Sequence, residues 1–262
     1  MRKCVLHILI AVLACSLSEP ASGQYRKYIN LNENWVVSEA KSGIDLEKSI
    51  PVDFKNPGKD WFQATMPEQI QDILFNKGII PDPHFGNNPT RYTWVFEKDW
   101  IYVTRFTTPD SKGEVFLCFD GIDTRADVWV NGKKIGECAN MFRKYRFQVS
   151  SFLKNDGSSN VLSVFVHSPA KFLEGIEQQI SDTETEAHKY LRKTGSDFSA
   201  YMGARPNFLK MGIYKNVYLD IPGENYLGDV FVRTSLSDNF SKAQISINPD
   251  IQGSGTSKIS YS

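Results

Sequence analysis

The sequence predicts an all-β protein, a sandwich of antiparallel strands, and three observations carry that reading. Ala126–Val130 alternates, with Val128 and Val130 facing one way and Trp129 the other, at the period of two expected of a half-buried strand. Asn131-Gly132 follows immediately. It is the strongest short-range hairpin signal, because a type I′ turn needs positive φ at both central residues. Further strand-like runs flank this turn: an apolar one over 115–120 closed by Gly121, a return over Lys133–Cys138, and an alternation of Tyr145, Phe147 and Val149.

The remaining elements follow in chain order. Tyr28-Ile29-Asn30-Leu31 makes a short strand leading to Asn34-Trp35, and the polar stretch beyond, punctuated by Pro51, Pro57 and Gly58, reads as loop. Pro67 fits the first position of a helix whose apolar face is Ile70, Ile73 and Leu74, and Gly78 ends it. Pro81-Asp82-Pro83 forces an extended loop, after which 91–96 restores β character and 100–107 reads as a strand. Residues 161–167 form another strand, with Leu162, Val164 and Val166 on one face. The rhythm then breaks over 169–210. Residues 171–192 are rich in Glu, Gln and Thr and suit a short helix, while Gly203-Ala204-Arg205-Pro206 is loop. About forty residues is long for a connection between strands, so this insertion is where function is expected.

A strand returns over 214–221, and Pro222-Gly223-Glu224-Asn225 marks a boundary. Beyond it lie strands at 229–234 and 243–247 and the start of a third at 259–261, too few to bury a core of their own.

Thirty basic and thirty acidic residues cancel, so nothing electrostatic points to nucleic acid or an anionic membrane. Residues 1–23 read as a secretory signal peptide: Arg2 and Lys3, a short apolar run over 5–14, then Ala21-Ser22-Gly23 before Gln24. The expected location is therefore secreted or exported, whether extracellular, periplasmic or lysosomal. A lipid on Cys15, in the loose lipoprotein box Val12-Leu13-Ala14-Cys15, is the minor alternative. No segment is apolar enough to span a membrane. Cys118 and Cys138 flank the central hairpin and suit either one disulfide or two buried thiols. No phosphate-binding loop, dinucleotide fingerprint, nucleophile elbow or zinc motif is present, and His84, His167 and His188 lie far apart, so no cofactor or metal is expected. Trp94, Trp100 and Trp129 sit in strand-like runs and read as core rather than as sugar platforms. Asn239-Phe240-Ser241 is an N-glycosylation sequon for a eukaryotic source.

Several stretches together resemble the amino-terminal domain of glycoside hydrolase family 2. They are Tyr92-Thr-Trp-Val with Trp100 and Phe106, then Gly121-Ile-Asp-Thr-Arg-Ala-Asp-Val-Trp-Val-Asn-Gly, and later Gly212-Ile-Tyr-Lys-Asn-Val. Asn140-Met-Phe-Arg-Lys-Tyr-Arg-Phe is similar to the β-mannosidase branch of that family. The resemblance covers roughly 25–221. It implies a jelly-roll, galactose-binding-like β-sandwich over 24–221, followed over 222–262 by the incomplete start of an immunoglobulin-like domain. It also implies a carbohydrate ligand, an oligosaccharide or glycan, and a catalytic barrel as the partner of this module.

The family's two catalytic glutamates belong to that barrel. Glu184 and Glu186 form a carboxylate pair here, but in a polar run without the burial that raises a general acid's pKa, so no catalytic residue is assigned. The β-mannosidase branch carries Trp-Asp-Trp before the glycine matching Gly203, where this chain has Ala200, Tyr201 and Met202. The acid and both indoles that contact sugar are thus replaced. Tyr201, by stacking, and Arg205, by donating to hydroxyls, remain the candidate substrate-binding residues. The alternative function is a stand-alone glycan-binding or adhesion module without enzyme activity.

Overall fold

A computed structural model describes residues 26–41, 50–111, 113–172, 210–223 and 225–253. Arg26–Pro222 forms one compact unit, and the strands beyond Gly223 belong to another. The first unit is a two-sheet sandwich. Its larger sheet runs β3 (Phe62–Ala64), β2 (Trp35–Glu39), β5 (Trp100–Phe106), β11 (Asn160–Val166), β8 (Ala126–Val130), β9 (Lys133–Cys138), every neighbour antiparallel. The smaller sheet runs β1 (Lys27–Asn30), β13 (Val217–Ile221), β6 (Phe116–Phe119), β10 (Tyr145–Gln148), again antiparallel. The inner faces meet in one core. Trp35, Val37, Tyr102, Val128, Val130, Leu162 and Val164 come from the first sheet, and Leu117, Phe119, Val217 and Leu219 from the second.

The central hairpin forms as its residues dictate. β8 and β9 are joined by Asn131 at φ 52° and Gly132 at φ 76°, the double positive φ of a type I′ turn. Asn131 also ties the turn to the sandwich: its amide donates to Asn160 Oδ1 at 2.8 Å, and its carbonyl oxygen accepts from Val161 N–H at 2.9 Å. Asn160 is fully buried, and its own amide donates to Thr108 Oγ1 at 2.9 Å. The polar side chain is therefore satisfied, as its burial demands.

Four stretches depart from the sequence expectations, each because tertiary pairing overrides the local signal. Trp35 does not end the first strand; it begins β2 in the opposite sheet, while β1 pairs with β13 in the smaller one. β5 is buried on both faces because Ala40, Ile50, Phe54 and Trp61, from the stretch read as plain loop, cover Ile101 and Val103 on its outer side, together with Val36 of the neighbouring β2. This is why its residues alternate only loosely. Pro67 does not open the helix: Glu68–Gln69 is captured as strand β4, and helix α1 spans Ile70–Asn76. Finally, residues 91–96 are not a strand but tight 3₁₀ turns at Asn88–Arg91 and Thr93–Val95. These bury Tyr92 and Val95 and place the Val95 carbonyl to accept from the Trp100 indole at 2.8 Å.

Cys118 and Cys138 are free and buried, so a disulfide between them is not formed. Cys138 joins the core, whereas Cys118 lies on the opposite side of β6 from Leu117 and Phe119. Burial pushes the Cys118 thiol up to about 12 and raises the Cys138 thiol as well. In the second unit, β14 (Tyr226–Leu236) and β15 (Ala243–Gln252) pair as an antiparallel hairpin with a register shift between Leu227 and Val230. Among the described residues no helix is long and apolar enough to cross a membrane.

Candidate functional site

Tyr201 and Arg205 lie outside the described residues, as do Glu184, Glu186 and the replaced triplet Ala200, Tyr201 and Met202. What the structure describes is the stem from which the 173–209 stretch departs and to which it returns. The outgoing limb is fixed residue by residue. After β11, the His167 N–H donates to the Arg125 carbonyl at 3.0 Å. The Ser168 N–H then donates to Asp99 Oδ1 at 2.7 Å, and its hydroxyl to the Phe96 carbonyl at 2.7 Å. Lys171 pairs with Asp99 at 2.9 Å, and the Arg125 guanidinium lies 4.2 Å from the centroid of the Phe172 ring.

The returning limb meets the same corner. β12 (Gly212–Ile213) inserts between β4 and β7 (Ile122–Asp123), pairing Gly212 with Gln69 on one side and Asp123 on the other. The Met211 carbonyl accepts from Ile70 N–H at 3.0 Å, and Met211 N–H donates to the buried Gln71 side chain at 3.4 Å. Gly212 is required here: its φ is 127°, and a Cβ would collide with the Tyr102 hydroxyl and crowd the Gln69 backbone. Gly121 is required by a close approach, since a Cβ would sit 2.7 Å from the Tyr214 ring. Tyr214 in turn donates its hydroxyl to the Met141 carbonyl. Phe172 packs on Arg125 and Gly212 pairs with Asp123, so both ends of the insertion rest on one five-residue corner, 121–125.

The chemistry of this corner suits holding a loop. Asp123 and Thr124 are buried, Thr124 donates its hydroxyl to Asp123, and the Gln69 amide reaches the other carboxylate oxygen at 3.5 Å. Next to β4 lies an open groove of about 690 Å³, lined by side chains that include Glu33, Asn34, Lys55, Gln63, Glu68 and Asp72. This mixture of donors and acceptors suits a ligand rich in hydroxyls. Sequence reasoning missed the groove because the pairing of β2 with β3 and the packing of α1 assemble it from residues far apart in the chain.

The other candidate groups resolve into structural roles. Asp220, almost wholly buried on β13, is held by Arg26 at 2.8 Å and Arg146 at 3.1 Å. Burial opposes its ionisation, but the two arginines, Arg26 foremost, outweigh burial and hold the carboxyl below its ordinary range. His167 lies 3.1 Å from Asp127. Among the described residues no group of three or more His, Cys, Asp or Glu is placed to hold a metal ion. Trp100 is core and Trp94 packs at the core margin under Lys98. Trp129 corrects the expectation: it lies half-buried on the outer face of the larger sheet, because β8 turns Val128 and Val130 inward.

Comparison with known proteins places this architecture. Residues 49–215, more than half of the chain, match the glycosyl hydrolase 2 galactose-binding domain-like family. The β-mannosidase of Rattus norvegicus is 29% identical over 250 residues, covering 91% of this chain and 26% of that protein. β-Mannosidase B of Thermothelomyces thermophilus is 28% identical, covering 85% of this chain and 25% of its own length. Among solved structures, the β-D-mannosidase of Dictyoglomus thermophilum superposes with a TM-score of 0.66 at 29% identity, over 86% of this chain and 26% of that one. The exo-chitosanase of Amycolatopsis orientalis, at 17% identity and a TM-score of 0.58, shares the fold. The chain spans about a quarter of the length of the curated relatives it matches.

Proposed function

The chain belongs to the glycosyl hydrolase 2 family through its galactose-binding domain-like sandwich, and from that membership we propose that it is the amino-terminal module of an exported β-mannosidase-like enzyme acting on terminal β-linked sugars of oligosaccharides. One observation carries the reading: the family match covers the whole stem, outgoing limb and returning limb alike, on which residues 173–209 are mounted. In this role the sandwich acts as a rigid bracket. The corner at 121–125 sets where the insertion leaves and re-enters, and Tyr201 and Arg205 meet the sugar by stacking and by donation to hydroxyls. The bond-breaking carboxylates belong to a catalytic domain, so the module binds and positions but does not cleave. Residues 1–23 direct export, and 222–262 begin an immunoglobulin-like domain.

The mass of the native species in source material tests this. A species several times larger than the chain, in line with the relatives' lengths, supports the enzyme module; a species matching 24–262 overturns it in favour of a stand-alone glycan-binding module. That second reading is favoured by the replacement of Trp-Asp-Trp by Ala200, Tyr201 and Met202, since a barrel-facing loop has no use in a protein without a barrel.

A further inference from the structure

The outer face of the larger sheet is divided. Residues Ala40, Ile50, Phe54 and Trp61 cover one half, over Val36, Ile101 and Val103. Beside that cover lies an open cleft of about 340 Å³, lined among others by Ile50, Arg105, Trp129, Lys154, Val161 and Ser163. The volume falls at the small end of the range for small-molecule sites. This cleft belongs to the outer sheet face, whereas the stem of residues 173–209 is built on β4, β7 and β12.

Two features give the cleft a chemistry. Trp129 offers a half-buried indole ring, held edge-on to Phe165 with ring centroids 6.4 Å apart. The second feature is charge: the described lining holds two cations and no carboxylate. Arg105 is fixed against the Phe54 ring, 4.6 Å from its centroid, and spends one N–H on the Val52 carbonyl. A guanidinium has five N–H donors, so its fork keeps capacity for an anion. Lys154 is exposed and spends one N–H on the Ser159 carbonyl.

We infer that this cleft is a second carbohydrate site, taking a sugar unit that carries a carboxylate, such as a hexuronate within an acidic glycan. The sugar ring lies against Trp129, and the carboxylate meets Arg105 and Lys154. The aromatic face recognises the sugar, and the two cations select an acidic unit over a neutral hexose.

The test is NMR of the tryptophan indole N–H signals of the full chain during titration with glucuronate, with mannose and acetate as controls. Trp129→Phe assigns the signal. A saturable shift of the Trp129 indole with glucuronate is expected, weakening with added salt. Arg105→Gln should weaken binding about tenfold. Lys154→Met, at an exposed position, should weaken it too and keeps the test decisive if Arg105→Gln does not fold. No shift, an equal shift with mannose or acetate, or binding unchanged in Lys154→Met and in a folded Arg105→Gln would overturn the inference.

Discussion

The sandwich and the β14–β15 hairpin are built from the same kind of sequence and end in opposite states. In the sandwich, Trp35, Val164 and Leu219 are wholly buried because a second sheet closes over the first. In the hairpin, Phe231, Ile245 and Ile247 are 61%, 63% and 51% exposed, although the strands are eleven and ten residues long and well paired. Strand pattern thus specifies pairing, while burial depends on a partner sheet. Two strands are marginal in isolation. The family match at 49–215 falls entirely inside the unit that closes.

This contrast is sharpest under core truncation. Trp35→Ala should destabilise the chain by about 3–5 kcal/mol in urea unfolding, because it opens a large cavity and leaves the Leu31 carbonyl without its indole donor at 2.6 Å. Gly212→Ala comes next. Strain at positive φ and collision with Tyr102 should together cost about 2–3 kcal/mol. A hydrogen-exchange map of this variant should show Ile70 and Met211 losing protection first, because they flank the displaced strand.

Asp220→Asn should cost about 1–3 kcal/mol near neutral pH, since Arg26 and Arg146 are each about one-third exposed and water relieves part of the loss. Its pH dependence has a defined sign. The folded carboxyl titrates below its ordinary value, so its stabilisation is fully present above about pH 4 and is lost as pH falls through the folded value. The gap between wild type and Asp220→Asn in unfolding midpoint should therefore narrow on acidification. At the small end, Ile247→Ala should change stability by less than about 0.5 kcal/mol. Ending the chain at Pro222 should shift the sandwich's thermal midpoint by under about 2 °C. A cost from Ile247→Ala comparable to that of Trp35→Ala would erase the distinction between the two regions.

Legibility in the sequence follows the same division. Elements closed by local signals were readable: the Asn131-Gly132 turn, β8 and β9 to the residue, and the inward face Leu162, Val164 and Val166 of β11. Elements created by distant pairing were not. Glu68–Gln69 looks like the start of a helix until Gly212–Ile213 pairs with it, and Val36 looks like the edge of a loop until β5 takes it up. At the candidate site, length and loop composition singled out the insertion, and the family resemblance gave Tyr201 and Arg205 within it. The corner that clamps both its ends was invisible, because 121–125 meets 172 and 212 only in three dimensions.

The proposed division of labour, in which the module presents sugar-contacting residues and supplies no bond-breaking carboxylate, is tested most directly by assaying purified residues 24–262 on an aryl β-mannoside. Release no faster than buffer is the predicted result. Turnover above buffer that disappears on changing Glu184→Gln and Glu186→Gln would contradict it and make this chain an enzyme in its own right.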